Sequence, residues 1–414
     1  MSTRANLLAV NRECDCFPIA RARVDQAVLS LTDYPEMSGL LAAREHYFAS
    51  TPIFIAPEMV SGMEQQITAI EQFIKKPDYQ NKIFHRSALA AFAPTKFTRG
   101  AFMGYDFHIT EDGPRLIEIN SNAGGAFIVN AIEKAVGLPH QTFEKDVSNM
   151  FLSEWDLARR PGELKTIAIV DEDPKNQFHY PDMLLAASLL RRQGFKVEIV
   201  DSKSLTYENG AVFAGETKID LIYNRVTDFD FGQPAHQVLR QAWLDEAVVI
   251  TPDPRHHALY ADKQNLVILS DSEKRKELGA SPELDRILSA LPETVEVTSQ
   301  NAEFLWAQRK NYFFKPFTGF GGRAVYKGAK LTKKVWAHIL DGGYIAQKLI
   351  KPPSRLISSV HPAGQQKYDV RIYSYNGKLL SMAARVYQGQ VTNLRTAGGG
   401  LAPVIPYSNP ACCK

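Results

Sequence analysis

The chain's 414 residues are enough for two or three domains around more than one core, and its 45% hydrophobic and 22% charged content is that of an ordinary globular protein. The 48 basic residues nearly balance 45 acidic ones, for a net charge of +3. No run of like charge is present, which argues against a nucleic-acid binder.

Met1 to Val10 carries one arginine and a short apolar stretch, without the core and cleavage pattern of a secretory signal. No uninterrupted run reaches the roughly 18–20 apolar residues that span a bilayer. A cytoplasmic protein with no membrane partner is expected. Cys14 and Cys16 stand near the start, Cys412 and Cys413 near the finish, and neither pair has structural-zinc spacing. They are read as inert thiols.

Residues 1 to about 95 read as mostly helical, and Met59 to Lys75 is the clearest stretch. There Met63, Ile67, Ile70 and Ile74 recur at three- and four-residue steps, as one buried face requires. Phe102–Ile109 and Arg115–Asn120 flank Glu111-Asp112-Gly113-Pro114 and predict a hairpin. A helix over Val129–Val136 follows, then a polar, aromatic-poor stretch and a boundary near Arg160-Pro161-Gly162.

Residues 165–255 alternate as in an open α/β unit: a strand at Thr166–Val170, a helix at Asp182–Gln193, then strands at Lys196–Val200 and Ile219–Tyr223. The polar loop Asp171–Tyr180 leaves the carboxyl end of the first strand, where open α/β sheets bind ligands. A solvated loop has the same composition, so both readings stand. Further on, Phe313–Thr318 predicts a strand running into Gly319-Phe320-Gly321-Gly322. Tyr368–Tyr375 and Lys378–Tyr387 predict a second hairpin about Asn376-Gly377.

Three constellations carry chemistry. Glu118 and Asn120 lie two apart on a strand and leave the same face, offering oxygens to a hard cation such as magnesium. Asp106 joins them if it pairs opposite Glu118, which needs a five-residue connection, Thr110 to Pro114. A four-residue loop sends it to the other face. Second, Lys315 ends a strand before Gly319, Gly321 and Gly322, a combination suited to phosphate oxygens, although the Walker A spacing is absent. Third come Asp369, Arg371, Arg385 and Asn393, with Arg395 and three glycines beyond. Arginines suit a transferring phosphoryl group. In an unbulged two-residue hairpin Arg371 and Arg385 face opposite sides of the sheet, so either a bulge intervenes or only one reaches the nucleotide. Tyr344–Ile350 fits both a core strand and an adenine-binding hinge.

In this order the pieces resemble the ATP-grasp superfamily, and within it the glutathione synthetases. Lys165–Lys263 looks like the substrate domain of the bacterial enzymes, with Asp171 and Arg225 at strand ends. Lys263 falls at the first nucleotide-binding lysine, Lys315 at the second, and Gln347-Lys348-Leu349 at the hinge. Asp369-Val-Arg371, Arg385 and Asn393 fall at the segment contacting phosphates. The final piece of an ordinary ATP-grasp chain, here Asp106 to Gly125, precedes everything else, a transposition similar to that of the eukaryotic glutathione synthetases. Two departures stand out: Gln347 replaces a usual hinge glutamate, and Gly104 stands where an arginine is common, leaving carboxylate recognition to Arg99 or Arg225.

The resemblance implies an α/β protein with α+β elements and a circularly permuted ATP-grasp fold. It implies a helical region plus hairpin over 1–160, a Rossmann-like substrate domain over 161–255, and a nucleotide-binding region over 256–414. It implies ATP and magnesium, with Asp106, Glu118 and Asn120 on the metal. The implied reaction joins a small carboxylate and an amine, from amino acids or small peptides, through an acyl phosphate. Arg371 or Arg385 stabilises the developing charge. Many members of the family form dimers or tetramers, so the resemblance leaves a homo-oligomer open without deciding the oligomeric state. The alternatives on the same fold are a phosphotransferase and a non-catalytic ATP-binding protein.

Overall fold

A computed structural model describes residues 3–13, 17–87, 98–138, 142–319, 321–322, 324–357 and 364–407. The four cysteines, and the reading made of them, lie outside the described residues.

Strands are numbered along the chain. The first third supplies β1 (Ile53–Ile55), β2 (Met103–Thr110) and β3 (Gly113–Asn120). The middle supplies β4 (Thr166–Asp171), β5 (Lys196–Asp201), β6 (Leu205–Glu208), β7 (Ala211–Ala214), β8 (Thr217–Ile219), β9 (Leu221–Asn224) and β10 (Val249–Thr251). Then come β11 (Thr294–Glu296), β12 (Tyr312–Pro316), β13 (Tyr326–Lys327) and β14 (Tyr344–Lys348). The last are β15 (Ser354–Ile357), β16 (Gly364–Tyr375), β17 (Lys378–Tyr387) and β18 (Gly400–Pro406).

Among the described residues the largest sheet runs β1-β18-β17-β16-β2-β3, with β15 also on β16. Both ends of the chain therefore build one sheet. The stretch from 256 onward divides between this sheet and the antiparallel β11-β14-β12-β13. The parallel sheet β10-β9-β4-β5 holds the α/β unit, and β6-β7-β8 forms a small meander beside it.

Helix Pro57–Ile74 starts with its proline in the first turn, where no N–H partner is lost. It buries Met59, Met63, Ile67, Ile70 and Ile74 against the large sheet, alongside Tyr105, Phe107, Val370 and Ile372. Each such side chain contributes roughly 1.5–3 kcal/mol by leaving water. The opposite sheet face, at Tyr373, Ala383 and Leu401, packs on helix Ala126–Ala135.

The polar stretch expected after that helix is instead a helix, Phe143–Leu157. Phe143, Val147, Met150, Phe151 and Trp155 are buried on it, at the spacing of one helical face. Two buried carboxylates tie this core to its neighbours. Asp182 accepts from the backbone N–H groups of Gly125, Phe127 and Ile128, at 2.9, 3.0 and 3.0 Å, and so closes the start of helix Ala126–Ala135. Glu154 accepts from the N–H of Arg99 at 2.7 Å and from Tyr375 Oη at 2.9 Å.

Candidate functional site

The two hairpins of the large sheet supply the floor of the site. In the first, Thr110 pairs with Gly113 across a two-residue turn, which by itself would set Asp106 opposite Ile117. A bulge between Asp106 and Phe107 in the pairing adds Ile117 to β3 and restores Asp106 opposite Glu118. Asp106, Glu118 and Asn120 thus share a face, by a bulge and not through a five-residue connection. In the second hairpin Asn376 and Gly377 both have positive φ, 49° and 81°, the turn that Asn-Gly favours. There the register shifts between Tyr373 and Ser374, so that Leu379 opposes Ser374 but Ser381 opposes Tyr373. Asp369 then faces Arg385, and Arg371 lies on the same side.

These side chains meet. Asp106 is fully buried. Its Oδ1 accepts from Arg371 Nε at 2.6 Å, and its Oδ2 accepts from Arg371 Nη2 and Arg385 Nη2 at 2.8 Å each and from Asn120 Nδ2 at 3.0 Å. Burial works to raise its pKa, but the two guanidinium groups outweigh it and hold the carboxyl at about 2. Asp369, also buried, accepts from Arg385 Nε at 2.6 Å and from Thr392 Oγ1 at 2.6 Å.

Above this floor is a cavity of about 690 Å³, within the range of small-ligand sites. Lys263 and Lys315 reach it from different elements. Lys263 Nζ donates to Gly319 O at 2.8 Å and pairs with Glu118 Oε1 at 3.1 Å. Burial works to raise the Glu118 pKa, while Lys263 and Lys315 prevail and lower it. Lys315 Nζ donates to Gln347 Oε1 at 2.7 Å and to the carbonyl of Ile117, the bulge residue, at 2.8 Å. Burial and the nearby Lys263 bring its pKa down to about 8. Gly321 and Gly322 have φ of 62° and 70°, backbone that glycine adopts without strain. A Cβ on Gly322 would come within 3.1 Å of Val391, so the glycine loop abuts the loop that carries Asn393 across the cavity mouth.

At the expected hinge, Gln347 and Lys348 line the cavity. The Gln347 side-chain oxygen is held by Lys315, and the N–H groups of Lys348 and Leu349 donate to Glu293 O and Asn311 O at 2.8 and 2.7 Å. Leu349 does not line the cavity, nor does Asp369.

Asp171 and Arg225, at the carboxyl ends of β4 and β9, line the other end. Arg225 Nη1 donates to Asn122 O at 2.8 Å, and a Cβ on Gly124 would lie 2.6 Å from its Nη2. It docks the loop after β3 onto the parallel sheet. Burial lifts the Asp171 pKa to about 7, against the pull of Arg225.

Arg99 does not line the cavity. A Cβ on Gly104 would lie 2.5 Å from the Ala123 Cβ and 3.5 Å from Arg371 Nε, so Arg371 occupies the space beside a position where no side chain fits.

Spacing from Asp106 signals one wall residue absent from the sequence reading, His108, two positions on and on the same face of β2. Its Nδ1 lies 2.9 Å from the Ile350 carbonyl, and burial lowers its pKa to about 4.

The cavity brings together the two lysines and the glycine loop expected from the sequence on phosphate. The three-donor magnesium set does not fit in the same way, because Asp106 is enclosed and its oxygens are engaged by arginine. Among the described residues, no group of three or more His, Cys, Asp or Glu side chains could hold a metal ion. Glu118 and Asn120 remain on the wall. No described helix is long and apolar enough to cross a membrane.

No family model and no curated protein sequence matches the chain. Among solved structures, a glutathione synthetase-like effector from Globodera pallida, in apo form, aligns at 9% identity and a TM-score of 0.51, over 91% of this chain and 98% of that one. A candidate gamma-glutamylcysteine synthetase from Methylobacillus flagellatus aligns at 11% identity and 0.46, over 82% and 84%. The ATP-grasp ligase PsnB, complexed with minimal precursor, Mg and ADP, aligns at 13% identity and 0.31, over 58% and 88%. This chain's mixed α/β architecture of several sheets is thus similar in fold to a glutathione synthetase-like protein.

Proposed function

We propose that the chain is an ATP-dependent carboxylate–amine ligase of the ATP-grasp type, with its Asp106–Gly125 piece transposed to the front. One observation carries the reading: Glu118, Lys263 and Lys315, from three remote stretches, line one cavity beneath a glycine loop. Lys263, Lys315 and that loop would hold the triphosphate of ATP. A carboxylate oxygen of the acid then attacks the γ-phosphorus, the bond to the ADP oxygen breaks, and an acyl phosphate forms. An amine displaces phosphate from the acyl carbon to leave an amide, an amino acid or small peptide being the class of substrate. Fixed cations supply most of the acceleration, by positioning and by neutralising charge. Arg371 and Arg385 both reach this wall, so both would act on the phosphoryl group. Asp106, whose oxygens are engaged by arginine, would not hold magnesium; Glu118 and Asn120, on the cavity wall, would, and the ion would there neutralise phosphate charge.

The test is turnover. Purified protein with ATP, magnesium and mixed amino acids or short peptides is expected to release ADP and phosphate only when acid and amine are both present. Glu118→Gln is expected to lose that release. A stable phosphorylated product from one substrate would make the chain a phosphotransferase instead. The enclosed Asp106 favours a second reading, a nucleotide-binding protein without catalysis. ATP binding with no ADP formed across a broad screen would select it.

A further inference from the structure

Arg371 and Arg385 are oriented as a pair. Each guanidinium has five N–H groups. Arg371 uses its Nε and one Nη2 hydrogen on Asp106; Arg385 uses its Nε on Asp369 and one Nη2 hydrogen on Asp106. Their carboxylate partners are fully buried behind them, while both arginines line the cavity. The remaining N–H groups, including all of both Nη1 atoms, lie on side chains fixed by charge-assisted bonds. Little ordering is left for a ligand to impose.

The surroundings favour an anion. Seven lysine and arginine side chains line the cavity, against the two carboxylates of Glu118 and Asp171. Counting Asp106 and Asp369 behind the wall, the cations remain in excess. A magnesium ion bridging phosphates needs carboxylate or carbonyl oxygens. At Asp106 those oxygens face guanidinium groups, so this part of the floor offers phosphate a donor surface in place of a metal.

We infer that Arg371 and Arg385, braced by Asp106 and Asp369, bind a phosphoryl group directly in place of one of the metal ions implied by the resemblance, so that polyphosphate binds without divalent cation. For ATP as the ligand this rests on the proposed function; for inorganic tripolyphosphate it does not.

The experiment is calorimetric titration of the full chain with ATP and, separately, with tripolyphosphate, each in magnesium and in EDTA. The wild-type affinity for tripolyphosphate is expected to change by less than about fivefold on metal removal, and Arg385→Lys or Arg371→Gln to weaken binding in EDTA by about tenfold or more. Loss of wild-type binding in EDTA by about 100-fold or more would overturn the inference, because oxygen-held metal would then carry the affinity. Unchanged binding in both variants would overturn it as well. If tripolyphosphate binds without metal and ATP does not bind at all, the clamp stands and the nucleotide reading falls. If neither ligand binds, both fall.

Discussion

The two hairpins of the large sheet solve one problem by bulges in different places. Each has a two-residue turn, and each would aim its charged side chains the wrong way if its ladder ran without interruption. In the Met103–Asn120 hairpin the extra residue, Ile117, sits well away from the turn, and its carbonyl is taken by Lys315 at 2.8 Å. In the Gly364–Tyr387 hairpin the shift lies next to the turn and rephases nearly the whole of β17, placing Asp369, Arg371 and Arg385 on one side. The first bulge makes a local docking point for a cation; the second sets the facing of an entire strand. Facing is therefore a property of the pair of strands, and side-chain spacing along either one cannot decide it.

Replacing the acid of each hairpin in turn tests that division. Asp106 takes hydrogen bonds from both arginines, whereas Asp369 shares Arg385 with it. Asp106→Asn is expected to cost about 3–5 kcal/mol in urea denaturation, because it leaves buried cations short of a counter-charge. Asp369→Asn is expected to cost about half of that, since Arg385 keeps Asp106. Equal losses would mean that the two hairpins share the charge equally.

Lys315→Met addresses the Ile117 bulge. It is expected to weaken ATP binding by about tenfold or more, measured by titration. Its effect on stability is read from pH. Burial and Lys263 hold the folded Lys315 near pKa 8, below its unfolded value. The unfolded chain therefore binds more protons between about pH 8 and 10.5, and wild-type stability gains over the variant as pH rises through that window. A flat difference across it would place the ammonium in water.

Several elements were legible because the sequence holds their causes locally. The helix at Pro57–Ile74 follows from apolar spacing, and the Asn376-Gly377 turn from two residues that tolerate positive φ. The parallel strands follow from short apolar runs between helices. A bulge in the second hairpin was one of two readings the arginine spacing left open; the first bulge and the position of both were not legible, because Ile117 is an ordinary strand former, as are the residues around Leu380, and pairing energy with a second strand decides which residue is skipped. The partnership of Asp106 with Arg371 was hidden for the same reason, as it spans 265 residues and depends on β2 lying beside β16. The helix Phe143–Leu157 was missed although Phe143, Val147, Met150 and Phe151 display its period, because the intervening charges dominate the composition.

The smallest expected effects separate the two hairpins by the glycine each one needs. At Gly104 the obstacle is space: a Cβ would press on Ala123 at 2.5 Å, next to Arg371 Nε at 3.5 Å. Gly104→Ala is therefore expected to cost about 1–3 kcal/mol by overpacking and to lower tripolyphosphate affinity as Arg371 moves. At Gly377 the obstacle is backbone conformation, φ of 81°, with Glu71 as the nearest side chain at 3.2 Å. Gly377→Ala is expected to cost about 1 kcal/mol and to leave tripolyphosphate affinity unchanged, because the turn lies far along the strands from Arg371 and Arg385. Urea denaturation and calorimetry on the two variants read both quantities. A loss of affinity in Gly377→Ala would show that the turn, and not the bulge beside it, sets the facing of β17.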